Sequence, residues 1–355
     1  MATMRDVARL ANVSIATVSF TVNNTKPVSP ATRARVEHAM TELGFRRNAV
    51  ARALASRRTR IIALLYPALQ HRFSGTAVTF FTSAAKTASD LGYSLVLWPI
   101  SNDAEQVTEL TAGGLVDGVL LMEVQMDDPR VDRLLESETP FALIGRTRDP
   151  AGLPYVDIDF ENTVTSAIDY LAGLGHRRIC LVNGSVESKA LSGYGPVVRA
   201  QATYAEVMAE RGLPTLTISC DETPAAGRAV AGELLERAPD ATAVIVMNEH
   251  AAFGLISGLK HRGVRIPEDM SILSIVSSPD MAAMSDPQLT LLASPSTELG
   301  RLGVEALIDQ LEGRNARNPQ ALIMCTMEDG ESTGPAPVGI RRLAAPQPEQ
   351  ANLPA

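Results

Sequence analysis

The side chains best suited to chemistry lie in the first two dozen residues. Thr3, Ser14, Thr17, Ser19 and Asn23 are short neutral hydrogen-bonding groups of the kind that contact phosphate oxygens and base edges. Ile15, Ala16 and Phe20 lie among them and offer apolar contact, for instance to a thymine methyl group. Elsewhere the spacings that catalysis needs are missing. There is no Walker phosphate loop, GxSxG or HExxH, and Gly193 and Gly195 fail the dinucleotide fingerprint because Val198 stands where a third glycine belongs. Asp157 and Asp159 alternate along one strand and share a face, which is weak ground for hydrolysis. The five histidines have no ligand spacing, and His176 fits a local hydrogen-bonding role beside its strand. The three cysteines, Cys180, Cys220 and Cys325, are odd in number and far apart. No cofactor and no metal is expected, nor is an enzyme.

The elements that hold the N-terminal groups follow from periodicity. Met4, Val7, Ala8 and Ala11 recur three and four apart, giving a first helix one apolar stripe. Asn12-Val13-Ser14 breaks it: Asn tolerates a left-handed turn, and Ser14 can cap the next helix. That second helix runs from about Ile15 to Val22 with Val18 and Val22 inward, leaving Ile15, Ala16, Thr17, Ser19 and Phe20 on exposed faces. A short helix with its first turn presented outward is the geometry of a helix-turn-helix that enters the DNA major groove. Ser29-Pro30 announces a third helix, with Val36, Met40 and Leu43 inward and Gly44 suited to its end. Arg46-Arg47-Asn48 and an alanine-rich segment capped by Asn48 follow.

Charge divides the chain the same way. Of the net charge of −8, the first sixty residues carry +8 (eleven Arg or Lys, three Asp or Glu), so the remainder carries −16. A basic module on an acidic body is what phosphate contact by one end requires. No apolar run is long enough to span a membrane and the N-terminus lacks a secretory pattern, so a cytoplasmic protein is expected rather than an exported solute-binding protein for transport, the runner-up reading.

Beyond Arg60 strands and helices alternate. Apolar runs at Ile61–Tyr66, Ser94–Trp98, Asp117–Met122, Phe141–Gly145 and Tyr155–Asp159 are separated by helical stretches, and the series then restarts at Asn162. Such alternation implies parallel sheets flanked by helices, and two series suggest two lobes with a cleft at the strand ends. A last helix is expected over Thr297–Glu312, a last strand over Ala321–Cys325, and a disordered tail from Gly330 onward.

The patterns DVARLANVSIATVSFTVN, VSPATRARVEHAMTELGF and NAVARALA, followed by LAGLGHRRICLVNG, AVIVMNEHAAFGLISGL and GVRIPEDMSIL, resemble the lactose-repressor (LacI/GalR) family of bacterial transcription regulators over about residues 3 to 326. The resemblance implies an all-α helix-turn-helix headpiece (1–46), a hinge helix or linker (47–59), and an α/β periplasmic-binding-protein-like domain of two parallel-sheet lobes for effector binding and dimerisation (60–329), before the tail (330–355). It implies a homodimer or tetramer on a near-palindromic operator, most simply as a repressor, with Asn48, Ala51 and Leu54 serving the minor groove and Leu54 wedging a base step. A small effector, a sugar or sugar derivative, is expected between the lobes, with Tyr66, Phe73, Arg146, Arg199, Asn248 and Glu249 as candidate contacts. Two departures stand out. Phe20 replaces a common arginine of the recognition helix. Ser274-Ile275-Val276-Ser277 lacks the usual cleft carboxylate, Glu249 replaces an aspartate, and Arg199 falls one residue early with Ala200 in the expected place.

Overall fold

The computed structural model describes residues 2–23, 26–45, 58–67, 75–100, 103–184, 193–247, 249–314 and 319–338. They divide into two compact units at Thr59/Arg60, each taken by itself below.

The N-terminal unit contains three helices, α1 (Met4–Leu10), α2 (Ile15–Asn23) and α3 (Pro30–Glu42). Thr3 caps α1 in a reciprocal box: its hydroxyl accepts from the Asp6 N–H at 3.3 Å, and the Asp6 carboxylate accepts from the Thr3 N–H at 3.0 Å. Asn12 sits at φ +51°, the left-handed conformation the sequence suggests for it. Ser14 then accepts from the Thr17 N–H at 3.0 Å, and Ser29 caps α3 with Pro30 at its first position. Val7, Ala8, Ala11, Val18, Val22, Val36 and Ala39 form the core. One inward expectation fails: Leu43 ends α3 as its C-cap and is 36% exposed, and Ala39 fills the core beside Val36 instead.

The second unit holds two six-stranded sheets. The first comprises β1 (Ile61–Tyr66), β2 (Ser94–Pro99), β3 (Gly118–Leu121), β4 (Phe141–Ile144), β5 (Tyr155–Ile158) and β11 (Gln320–Ile323), in the order β11-β5-β4-β3-β1-β2, all parallel. The second comprises β6 (Ile179–Asn183), β7 (Thr217–Ser219), β8 (Ala243–Val246), β9 (Ser271–Ser277), β10 (Thr290–Ala293) and β12 (Thr326–Glu328), in the order β12-β10-β9-β8-β6-β7, with β12 alone antiparallel. Strands β1, β3, β4, β5, β6 and β8 are almost wholly buried, as strands covered by helices on both faces must be. The helices are α4 (Gly75–Asp90), α5 (Ala104–Ala112), α6 (Pro129–Glu136), α7 (Phe160–Gly173), α8 (Gly195–Glu210), α9 (Pro224–Arg237), α10 (Glu249–His261), α11 (Pro279–Ala282) and α12 (Ser296–Leu311). Among the described residues none is long and apolar enough to cross a membrane.

The lobes are not two consecutive halves of the chain. After β10 the chain returns to the first lobe, where α12 packs on α4. A Cβ on Gly300 would lie 2.8 Å from the Phe80 carbonyl oxygen and one on Gly303 2.8 Å from Ile144 Cδ1, so the two glycines permit that close approach. The strand expected over Ala321–Cys325 is β11, and the short β12 that follows it belongs to the other lobe. The expected disordered tail also begins too early. Ser332 is fully buried, its hydroxyl donates to the Ile272 carbonyl at 2.6 Å and accepts from the Thr290 N–H at 2.9 Å, so this stretch satisfies backbone groups of β9 and β10. His176 bonds Thr242 at 2.9 Å and the Gly334 carbonyl at 3.0 Å, the local role its position suggests. Residues 339–355 of the expected tail lie outside the described residues.

Candidate DNA-binding face and interlobe site

On the N-terminal unit, the outward side of α2 carries the residues expected there. Ser14, Ile15 and Ala16 are exposed, and Thr17, Ser19 and Phe20 half-buried. Part of their polar capacity is already engaged. Ser14 Oγ and Thr17 Oγ1 lie 2.8 Å apart, and Thr3 is occupied as the α1 cap. Phe20 is covered by Lys26, whose Nζ stands 5.0 Å from the ring centroid, a cation–π arrangement. The apolar departure at Phe20 thus brings a positive charge to the same face, which the spacing of residues gave no reason to expect. Asn23 ends α2, but its side chain, like Asn48, Ala51 and Leu54, lies outside the described residues.

In the second unit a cavity of about 160 Å³ lies between the lobes. Tyr66 at the end of β1, Thr76 and Phe80 on α4, Glu123 after β3, Ile144 and Asp157 line it from the first lobe; Phe160, Tyr194, Glu222, Met247 and Val276 line it from the second, with Ser294 and Ser296 at a crossing. Each strand that contributes does so at or just beyond its C-terminal end, the ligand position of open α/β sheets.

Of the expected effector contacts, Tyr66 and Glu249 reach this cavity. Glu249 is committed to protein: Oε1 accepts from the Gly75 N–H at 2.7 Å and Oε2 from the Ser278 N–H at 2.8 Å. Gly75 opens α4 of the first lobe and Ser278 caps α11 of the second, so this carboxylate ties two helix N-termini across the cleft, where the peptide dipoles favour it. Arg146 and Arg199 do not line the cavity among the described residues. Arg146 clamps Glu161 with Nη2 at 2.6 Å from both carboxylate oxygens, and its Nε lies 3.3 Å from Asp157 Oδ2. Arg199 is buried and donates to the Thr147 carbonyl at 2.9 Å. Both arginines bond from one lobe to the other, although Arg146 Nε and Arg199 Nη1 make no hydrogen bond among the described residues. Phe73 and Asn248 lie outside the described residues.

Sequence reasoning missed Glu123 and Glu222 altogether. Glu123 follows β3 in a left-handed conformation, φ +50°. The loop is held there by Arg130, a fully buried side chain that forks onto Asp128 at 2.7 and 2.9 Å and donates to the Glu123 carbonyl at 2.9 Å. Glu123 keeps some exposed surface, yet its Oε2 is sealed from solvent and has no hydrogen-bond partner among the described residues. Burial first, and the neighbouring Glu222 second, push its carboxyl up to about 7. Burial likewise pushes Asp157 up to about 7, against the pull of Arg199 and Arg146. Tyr66, hydrogen-bonded to Glu123, and Tyr194 are both driven above the ordinary phenol range by burial. Val276, at φ +56° beside a register shift between β9 and β10, is turned into the cavity by that bulge, in the stretch that lacks the carboxylate common to the family.

Residues 3–48 match the model of bacterial regulatory proteins of the lacI family, and residues 168–333 that of the periplasmic binding protein-like domain. The HTH-type transcriptional regulator CelR of Thermobifida fusca is 32% identical over 338 residues, 91% of this chain and 96% of that protein. Catabolite control protein A of Priestia megaterium is 30% identical over 319 residues, 86% of this chain and 91% of that protein. A solved complex of the transcriptional regulator CelR with cellobiose matches with a TM-score of 0.70 at 29% identity, over 94% of this chain and all of that one. With a matching headpiece, a matching two-lobed body and relatives aligned along nearly its whole length, the chain belongs to the lacI family of bacterial regulatory proteins.

Proposed function

We propose that this DNA-binding transcription regulator is a homodimeric repressor of the cytoplasm whose operator affinity is set by a small sugar or sugar derivative held between the lobes. The observation that carries the reading is the cavity at the strand ends, closed by polar bonds that join one lobe to the other. A ligand acts on DNA binding only through its different affinity for the open and closed lobe arrangements, and a site built from both lobes has that difference by construction. The cellobiose seated in the similar CelR structure supports a carbohydrate-like occupant. On the headpiece, Ile15, Ala16 and Phe20 select bases, while Thr3, Ser14, Thr17, Ser19 and Asn23 hold phosphates or base edges. Asn48, Ala51 and Leu54 serve the minor groove through residues 47–59. A two-fold dimer then reads a near-palindromic site. Val78 on α4 and Val96 and Leu97 on the adjacent edge strand β2, exposed at 52%, 37% and 39%, give the first lobe apolar surface for a second copy. The curated relatives are regulators, and no catalytic role is proposed for any residue. The test is a thermal-shift screen of carbohydrates on the full chain, then operator binding with and without each hit. A hit that leaves operator affinity unchanged refutes effector control.

A further inference from the structure

Arg60, the residue that leads the chain into β1, stands at φ +58°, a left-handed backbone that a non-glycine residue seldom adopts without outside support. Support converges on it from β2, β3 and α12 of the first lobe. Its N–H donates to Asp117 Oδ2 at 2.9 Å, just ahead of β3, and its carbonyl accepts from the Ser94 N–H at 2.8 Å, where β2 begins. Its guanidinium lies 4.7 Å from the centroid of the Tyr93 ring, and Nη1 donates to Glu312 Oε1 at 2.7 Å. Tyr93 donates its hydroxyl to the same oxygen at 2.9 Å. A charge-assisted bond and a cation–π contact thus pin one side chain. The pair is only partly buried, so it can part without opening the core.

Glu312 is the C-cap of α12, and the other end of that helix lines the interlobe cavity with Ser296 and Leu299. The helix runs for 16 residues, so it spans about 24 Å, and the close contacts at Gly300 and Gly303 seat it on α4 and β4. At its start two residues, Ser294 and Pro295, separate it from β10 of the second lobe. Ser294 is tied to that lobe, its N–H donating to the Ser277 carbonyl at 3.0 Å. A displacement of the second lobe therefore reaches the helix without a loop to absorb it. Resting on the effector-controlled reading above, we propose that Arg60 and Glu312 are a positioning pair that passes the state of the cavity to residues 47–59, with α12 as the rigid connection. Each step has a physical carrier. The crossing at residues 294–296 moves with the lobes, α12 moves as one body, and Glu312 holds or releases the left-handed Arg60 at which the chain enters β1.

The test uses the full chain and an operator that it selects from a randomised duplex. Coupling between two sites is reciprocal, so operator binding should alter amide hydrogen exchange over residues 294–303, at the cavity end of α12. Arg60→Gln and Glu312→Gln should each abolish that change and lower operator affinity about fivefold or more, the lower end of typical coupling between sites. The two substitutions shift the net charge in opposite directions. A plain electrostatic effect on the duplex would therefore move affinity oppositely, whereas loss of one shared contact moves it the same way. A merely structural contact would lower the melting temperature in its absence and leave the exchange change in place. Arg60→Lys, which keeps a cation for Glu312, should retain more affinity than Arg60→Gln. Should either variant fail to fold, the native chain still decides the matter. If it binds its operator with no exchange change over residues 294–303, the relay is overturned and the regulator assignment stands. An exchange change that persists in both variants, or affinities that move in opposite directions, overturns the relay as well. A native chain that selects no duplex condemns the broader reading and the relay with it.

Discussion

Phe20 shows how one side chain can change what a recognition helix reads. An arginine at this place would fork onto a guanine, whereas a phenyl ring has nothing to donate and, in the base-facing role proposed for it, offers only apolar contact. Selection of half-sites from a randomised duplex should therefore yield no guanine at the base facing residue 20, and Phe20→Arg should introduce one; a guanine preference already present in the native chain would contradict this. Lys26, poised over the ring, would lose its platform in Phe20→Ala, which should relax the preference at the base facing residue 20 and, where Lys26 meets phosphate, add a loss shared by all duplexes. Glu123 makes a prediction about stability. Its carboxyl sits near 7 in the folded chain against the ordinary 4.5, so the folded state binds the proton more tightly than the unfolded one. Stability is then fullest below pH 4.5 as far as this group is concerned, and falls as pH rises toward and through 7. Glu123→Gln removes that loss and should raise the unfolding free energy from urea titration at pH 8 by of order 2 kcal/mol, with a smaller gain at pH 5. An equal gain at both pH values would show that the carboxyl is not buried as described.

At the scale of the element, the lobes are latched where α10 meets the starts of α4 and α11. Glu249→Ala leaves the Gly75 and Ser278 amides without their carboxylate acceptor, a charge-assisted loss of roughly 1.5–3 kcal/mol, and should expand the body in small-angle scattering. Gly75→Val should do the same by force, since even a Cβ there would stand 2.6 Å from Met281 Cγ and 3.0 Å from Ser278 Cβ. Unchanged dimensions in both variants would argue that Glu249 is merely a local cap. The same elements show what the chain alone could disclose. The caps at Ser14 and Ser29 and the left-handed Asn12 are local, set by residues within four positions, and were legible; the capping box at Thr3 is as local but was not read. The alternation of apolar runs announced two parallel sheets. What could not be read was long-range destination. Nothing in Ser296–Leu311 says that it returns to the first lobe, because the partners of Gly300 and Gly303 lie on α4 and β4, far earlier in the chain. Arg146 and Arg199 looked like ligand groups for the same reason: at a strand end and a helix start, the sequence shows their charge but not Glu161 and Thr147, which consume it. Glu123 was missed because its exposure of a carboxylate to the cleft depends on a buried Arg130–Asp128 fork that has no periodic signature.

For the whole molecule, the decisive property is the split of charge between a segment at +8 and a remainder at −16. Phosphate contacts by the basic segment release counterions, so operator affinity must fall steeply and linearly on logarithmic axes as salt rises. The acidic remainder adds nothing to that slope, because its charge has the sign of the duplex. This separates two contributions that affinity alone confounds. Leu54, uncharged and proposed to wedge a base step, contributes through bending rather than through ion release. Leu54→Ser should therefore lower operator affinity by roughly one to two orders of magnitude and reduce the bend seen by fluorescence energy transfer across the site, yet leave the salt slope as it was and the effector affinity of the body intact. Replacement of Arg46 and Arg47 by Gln should do the reverse, flattening the slope by about 1 for each phosphate left unneutralised while sparing the bend. If Leu54→Ser flattened the slope instead, or abolished effector binding, then residues 47–59 would not be the separable minor-groove device that the charge pattern and the wedge together require.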